Sequence, residues 1–362
     1  MRAAILILAT SIPGVVFAQD GSTSTIAEIP AVVEQAKPAQ PKPPNPAPQP
    51  PKPPAQPVQP PPPPPTPIRR GTMVGYIDDA TIESYMRVRF DTAFENDVPD
   101  RTEFFYAQCG CNGGDAPGPG IPGPQDLATG VNFQQLFADF SYAFHPRLAA
   151  FGSLPLRFVQ PQSFLGEMLS PPQNDNTFDS GSGLSDIRAG VKGSIYSTDT
   201  SVVTAQIQFY FPSGDATKGL GTDHTSFEAA LLFHQRVSDR LTIESQFGDW
   251  HPIGGSTANG ADYAGDVLFY GIGPSYELVN TGRLRIAPVV ELVGWHVLGG
   301  LQQPGPPAGA VVPAEGTNIV NLKLGARTSF NEMSSFYVGY GFAMTDAQWY
   351  GEIVRFEYRY SF

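Results

Sequence analysis

The chain has 362 residues and a formal net charge of −12. That acidity excludes a nucleic-acid partner, because no basic stripe is available to neutralise phosphates. Charged residues make up only 15 % of the chain, against about a quarter in soluble domains. No apolar run of about 18 residues follows the N-terminus, which excludes a membrane-spanning helix.

Arg2 opens a short positive region, and Ala3 to Val16 is apolar apart from Pro13-Gly14. Val16-Phe17-Ala18 and the Gln19 that follows form a cleavage site, so residues 1–18 are predicted to be a secretory signal peptide. Export implies an oxidising compartment. Residues 19–70 are predicted to be a disordered linker, proline-rich over 37–68 and continuous in proline from Pro60 to Pro65. Proline fixes φ and removes the amide donor, so this tract joins neither sheet nor helix. Roughly 30 residues of polyproline II at about 3.1 Å each reach on the order of 90 Å. Such an arm either touches peptidoglycan or a periplasmic or inner-membrane protein, or is a tether with no ligand.

From Glu83 onward the chain alternates with period two, and about twelve strands are predicted. Their spans are 84–95, 132–144, 148–159, 184–196, 201–211, 225–236, 240–250, 265–280, 283–297, 317–330, 335–344 and 350–362. Between the first two of these, Cys109 and Cys111 sit in Cys-Gly-Cys. Two cysteines cannot supply a four-ligand zinc site, so they form either a strained local disulfide or two thiols. His234, His251 and His296 are scattered; no metal and no cofactor is expected. The connections alternate. Short ones such as His145-Pro146-Arg147 and Val237-Ser238-Asp239 are followed by long ones such as 160–183 and 298–316. Pro155, Pro161 and Pro288 fall inside strands, where proline usually marks a bulge.

One face of each strand is apolar. Val203, Ala205, Ile207, Phe209 and Phe211 oppose Thr204, Gln206, Gln208 and Tyr210; Val320, Leu322 and Leu324 oppose Asn321, Lys323 and Arg327. The other face collects charges of both signs: Arg87, Arg89, Asp91, Asp139, Arg157, Asp186, Arg188, Lys192, Glu228, Glu244, Glu277, Glu291, Lys323, Arg327, Arg355, Glu357 and Arg359. Charges facing hydrocarbon are expensive. Facing a lumen, they either pair across it and fill it or line an open pore. Trp250, Trp295 and Trp349 all fall near the long-loop ends. They form an aromatic girdle at the membrane interface, or, by the parity of Trp250 and Trp295, look into the mouth of the lumen.

His224-Thr225-Ser226 places a histidine two residues before a serine. A membrane-embedded phospholipase barrel uses His-x-Ser on its outer face, but no third residue here is placed to orient the histidine. At the C-terminus, Val354, Phe356, Tyr358, Tyr360 and Phe362 share one face, and Arg355, Glu357, Arg359 and Ser361 the other. This ending resembles the last strand by which bacterial outer-membrane barrels are recognised by their assembly machinery, which makes Phe362 the expected contact.

The middle of the chain carries Gly183-Leu184-Ser185-Asp186, then Gly190 and Lys192, then Phe211-Pro212-Ser213-Gly214-Asp215 and Lys218-Gly219-Leu220-Gly221-Thr222. This resembles the family of outer-membrane transporters linked to the meta-cleavage pathway of phenol degradation. Here Ser185 stands for a glycine and Ser213 for a threonine. The resemblance implies a barrel and an aromatic solute. Read from the residues alone, Asp215 and Lys218 either bind a ligand or an ion of lipopolysaccharide, or fold an external loop.

The whole pattern predicts an all-β transmembrane antiparallel barrel over 71–362, in the cell outer membrane and in contact with its lipid. It is expected to pass small solutes and to catalyse nothing. A structural barrel tethered to the cell wall through the arm is the rival reading, and a lipid hydrolase the third.

Overall fold

The computed structural model describes residues 71–97, 128–164, 180–254, 257–258, 261–262, 264–302, 312–331 and 333–362. Residues 1–18, expected to be a signal peptide, the proline-rich stretch and Cys109 and Cys111 lie outside the described residues. Twelve strands build the fold. They are β1 (Tyr85–Asn96), β2 (Ala128–His145), β3 (Leu148–Phe164), β4 (Ile187–Ser197), β5 (Ser201–Phe211) and β6 (Thr225–Arg236). Then come β7 (Leu241–Ile253), β8 (Val267–Tyr276), β9 (Leu284–Val297), β10 (Asn318–Phe330), β11 (Ser334–Ala343) and β12 (Glu352–Ser361). Each pairs antiparallel with its sequence neighbours, and β1 pairs with β12, so the sheet closes into a twelve-stranded barrel. Closure removes both sheet edges.

Local chemistry explains the strands. On β12, Phe356, Tyr358 and Tyr360 are exposed while Arg355, Glu357 and Arg359 are buried. The same alternation holds on β5, where Ile207, Phe209 and Phe211 face out and Thr204, Gln206 and Tyr210 face in. The exposed set is large and apolar around the whole wall, from Val88 on β1 through Val191, Phe247, Ile272, Leu324 and Val338. A soluble protein rarely exposes more than a few hundred Å² of contiguous apolar surface. This wall is the lipid-facing surface of a membrane-spanning barrel of the outer-membrane type.

Charge pins the register. Asp91 stands opposite Arg355 and Arg89 opposite Glu357 at the β1–β12 closure, Arg87 opposite Asp139 on β1–β2, and Glu291 opposite Lys323 on β9–β10. Directly opposed unlike charges favour their register, and a one-residue slip would turn them into the bilayer. The short connections turn tightly, with Gly282 (φ 80°) and Asn331 (φ 59°) in the left-handed region.

One expectation about the strands needs correction. The predicted strand 184–196 is interrupted: Gly181–Leu184 pairs with β3 by itself, and β4 begins only at Ile187. Pro155 and Pro288 do mark bulges: each keeps its register with one neighbouring strand, but on the other side the register shifts, between Ser153↔Arg188 and Leu156↔Leu184 at Pro155 and between Ser275↔Val289 and Val279↔Ile286 at Pro288. Further register shifts lie near the strand ends, at Ala93/Asn96, Tyr142/His145 and Ser194/Tyr196, and near Pro161. The first strand begins close to the expected residue 84, and residues 71–84 precede β1 and run through the lumen.

Candidate functional site

Residues 71–84 form neither helix nor strand, and only Ser84, whose carbonyl accepts from Phe362 N at 3.0 Å, is tied to the ladder. Buried backbone groups must find partners, and the charged face of the wall supplies them. Glu244 Oε2 accepts from the amides of Met73 (2.9 Å) and Val74 (3.3 Å). Glu291 accepts from Gly75 N at 2.9 Å on one oxygen, and from Tyr76 N at 2.8 Å and Ile77 N at 3.0 Å on the other. Tyr337 Oη donates to the same carboxylate at 3.0 Å. The carbonyls are met by cations. Arg327 donates to Met73 O (3.3 Å) and Val74 O (2.7 Å), Arg355 to Gly75 O (2.5 Å) and Lys192 to Asp79 O (2.7 Å). Arg359 bridges Asp79 (2.7 Å) and Glu83 (2.9 Å). Apolar contacts complete the seat: Val74 and Ile77 pack on Val289, Val293 and Tyr337, and Ala80 on Ala230, Leu232 and Phe269.

The charged residues read from the sequence as inward are thus all buried or half-buried, but several of them clasp a peptide. Others pair with one another. Arg355 Nε and Nη2 grip both oxygens of Asp91 (2.6 and 2.7 Å), Arg327 meets Glu357 (2.8 Å), and Arg87 meets Asp139 (2.7 Å). Arg157 donates to Gly219 O at 3.3 Å. With the Gln135 amide oxygen turned toward it, Arg157 also donates there through Nε and Nη2 at 2.6 Å each. Glu228 accepts from Tyr210 Oη at 2.7 Å.

Toward the long-loop end the lumen turns apolar. Trp349 and Tyr350, in the connection before β12, pack with Ala93, Val131, Phe133, Val159, Leu220, Ile319 and Ile353. Trp250 is fully buried among Tyr210, Val267 and Val297, and its Nε1 donates to Ser226 Oγ at 2.7 Å. Trp295 is half-buried and meets Trp349 edge-on at 6.1 Å. None of the three forms a lipid-facing girdle. Strand parity carried the signal for Trp250 and Trp295. Trp349 lies on a connection where parity has no meaning.

Two spaces remain. A vestibule of about 1020 Å³ opens at the short-turn end, lined by Thr72, Thr81, Asp199, Arg236 and Ser334 among others. Deeper lies a cavity of about 190 Å³ between the threaded segment and the wall, lined by Tyr76, Arg89, Phe133, Arg188, Phe269 and Trp295 among others.

The motif residues gather at one place at the long-loop end of the barrel. Asp186, released by the break before β4, accepts from Thr222 N and Oγ1 at 2.8 Å each and from Gly214 N at 3.1 Å. Ser213 Oγ donates to Ser185 O (2.9 Å) and accepts from Ile187 N (2.8 Å). Asp215 and Lys218 form an exposed ion pair at 2.9 Å on a single 3-10 turn, Ala216–Lys218. His224 is buried, which pushes its imidazole pKa down, and its Nδ1 is bonded to Thr222 O at 2.8 Å. Ser226 faces inward and is fully buried, so the His-x-Ser pair offers no nucleophile on the outer face. His251 lies 2.6 Å from Asp266, and Asp249 brings a third potential ligand atom within 4.8 Å. This half-exposed trio, two residues on β7 and one just before β8, was not legible in the sequence.

No family model matches the chain, and no curated protein does. The likeness to the phenol meta-pathway transporters therefore rests on the motif residues alone. Solved structures are similar in fold. An outer membrane channel from Pseudomonas putida F1 is 13 % identical over 78 % of this chain and 96 % of its own, with a TM-score of 0.49. The β-domain of the Bordetella autotransporter BrkA is 13 % identical over 77 % of this chain and 100 % of its own, with a TM-score of 0.41. The KdgM porin is 9 % identical over 77 % and 99 %, with a TM-score of 0.37.

Proposed function

We propose that this barrel is an outer-membrane channel for small solutes, with residues 71–84 as its obstruction. The observation that carries the reading is the way that segment is held. Its backbone is bound by side chains of the wall, Glu244, Glu291, Arg327, Arg355 and Lys192, and shares no strand ladder with the barrel. Among the described residues, 71–81 make no backbone–backbone hydrogen bond to the barrel and can leave without one being broken, and the vestibule of about 1020 Å³ gives them somewhere to go. In this reading the short-turn end faces the periplasm and the solutes are small organic molecules, aromatic ones included. The proline-rich stretch 37–68, which directly precedes the segment, is the periplasmic arm. Peptidoglycan or a periplasmic protein is its partner, and Phe362 is the mark read by the assembly machinery.

Planar-bilayer recording of the wild type against a variant lacking 71–81 tests this. Small or no conductance is expected from the wild type, and a steady conductance at least several-fold larger from the deletion. A deletion as silent as the wild type, and silent also when combined with Trp349→Ala, overturns the channel reading. One observation favours a second reading, a structural barrel: the lumen is filled at both levels, by the segment and by the Trp349 cluster. A structural barrel predicts membrane blebbing when 37–68 is deleted.

A further inference from the structure

We infer that the cavity of about 190 Å³ beside the threaded segment is a binding site for a small aromatic carboxylate. The inference rests on the lumen being reachable by solutes, as proposed above. Its first support is charge. Five carboxylates line the cavity, and each is already engaged. Asp139 is held by Arg87 and Ser153, Asp91 by two nitrogens of Arg355, Asp79 by Arg359, Glu228 by Tyr210, and Asp78 by Gln206 Nε2 at 3.1 Å. Arg89 is left over. Its side chain is only 12 % exposed, and its one ion-pair contact among the described residues is Asp91 Oδ2 at 3.9 Å, on a carboxylate already gripped by Arg355. Its Nε has no hydrogen-bond partner among the described residues, and its guanidinium lies 3.9 Å from the Phe137 ring centroid. A buried cation without a charge-assisted hydrogen bond is costly, and an incoming carboxylate supplies that bond. Arg188, whose guanidinium lies 5.2 Å from the same ring, adds a second positive charge to the site.

The second support is size and lining. An apolar cavity of about 150 Å³ accepts one benzene, so about 190 Å³ accepts one ring with a carboxylate on it. Phe133, Phe269, Val293 and Trp295 offer the apolar wall such a ring requires. An inorganic anion would leave that wall unused, and a neutral ring would leave Arg89 unpaired.

The test is equilibrium binding to the purified full chain in detergent, by calorimetry and by tryptophan fluorescence. Benzoate, its neutral isostere benzamide, and acetate are the probes. Saturable benzoate binding is expected, at least tenfold tighter than benzamide or acetate. Arg89→Gln is expected to weaken benzoate at least tenfold while leaving benzamide unchanged. Trp295→Leu, which keeps the charge, is expected to weaken benzoate and leave acetate unchanged. Should Arg89→Gln fail to fold, the probe series on the wild type and Trp295→Leu decide the matter. Equal binding of benzoate and benzamide, no benzoate binding to the wild type, or full affinity in folded Arg89→Gln overturns the inference. The assay needs no conductance, so a silent bilayer with saturable benzoate would sink the channel reading and leave this one standing.

Discussion

Glu291 shows how one side chain sets the state of the lumen. Its two oxygens take three consecutive amides of the threaded segment and the Tyr337 hydroxyl. A carboxylate accepts at both oxygens, which makes it a good receptor for a run of N–H donors. Glu291→Ala leaves three buried amides unpaired, at about 1–3 kcal/mol each. The expected outcome is release of the segment. With Cys109 and Cys111 changed to serine, a cysteine placed by Ile77→Cys should react with a maleimide in the Glu291→Ala background and stay protected with Glu291 intact. Equal reactivity in both would mean that Glu291 does not hold the segment. Gly75 acts in the same contact, since a Cβ there would overlap the buried Tyr337 ring. Gly75→Val is therefore expected to raise the same labelling.

At the scale of the element, each strand is a two-sided solution to a two-solvent problem. Val338 sits in the middle of β11 on the exposed face, between the inward Tyr337 and Gly339. An arginine on the lipid face at the bilayer midplane costs about 2–4 kcal/mol, and near the interface about 0–1. Val338→Arg is expected to lower stability by the larger amount and Met333→Arg, in the turn before β11, by the smaller. Urea titration of refolding into lipid vesicles measures both. Equal costs would contradict the assignment of β11 to the bilayer. The tight turns carry their own chemistry, with Gly282 and Asn331 at positive φ, where bulky residues are strained.

At the scale of the molecule, the barrel and the segment it contains are separable. The ladder closes through twelve strands without any pairing to residues 71–84. Deleting 71–81 is therefore expected to leave a folded barrel that still migrates faster unboiled than boiled on a denaturing gel, with a lowered melting temperature. Loss of that gel shift would show the segment to be part of the folding core. The apolar cluster of Trp349, Phe133 and Ile353 closes the other half of the lumen, so a large conductance after deletion also requires this cluster to yield. Trp349→Ala in the deletion background should then raise conductance further, a comparison read in the same bilayer recording.

The twelve strands, their faces and the alternation of short and long connections were legible in the sequence, because period-two patterning and turn chemistry act between residues close along the chain. The inward set, from Arg87 to Arg359, was readable by the same parity. What those charges do was not. Glu291 meets Gly75 across 216 positions and Glu244 meets Met73 across 171. The segment Gly71 to Ser84 has no period of its own by which to announce its partners. The break at Ser185-Asp186 was hidden for the same reason: it is fixed by Thr222 and Gly214 on another loop. Sequence decided the wall, through local geometry and the solvent on each face. Tertiary structure alone decided that the lumen is filled, because only closing the barrel brings carboxylates and guanidiniums from opposite walls within reach of one extended peptide.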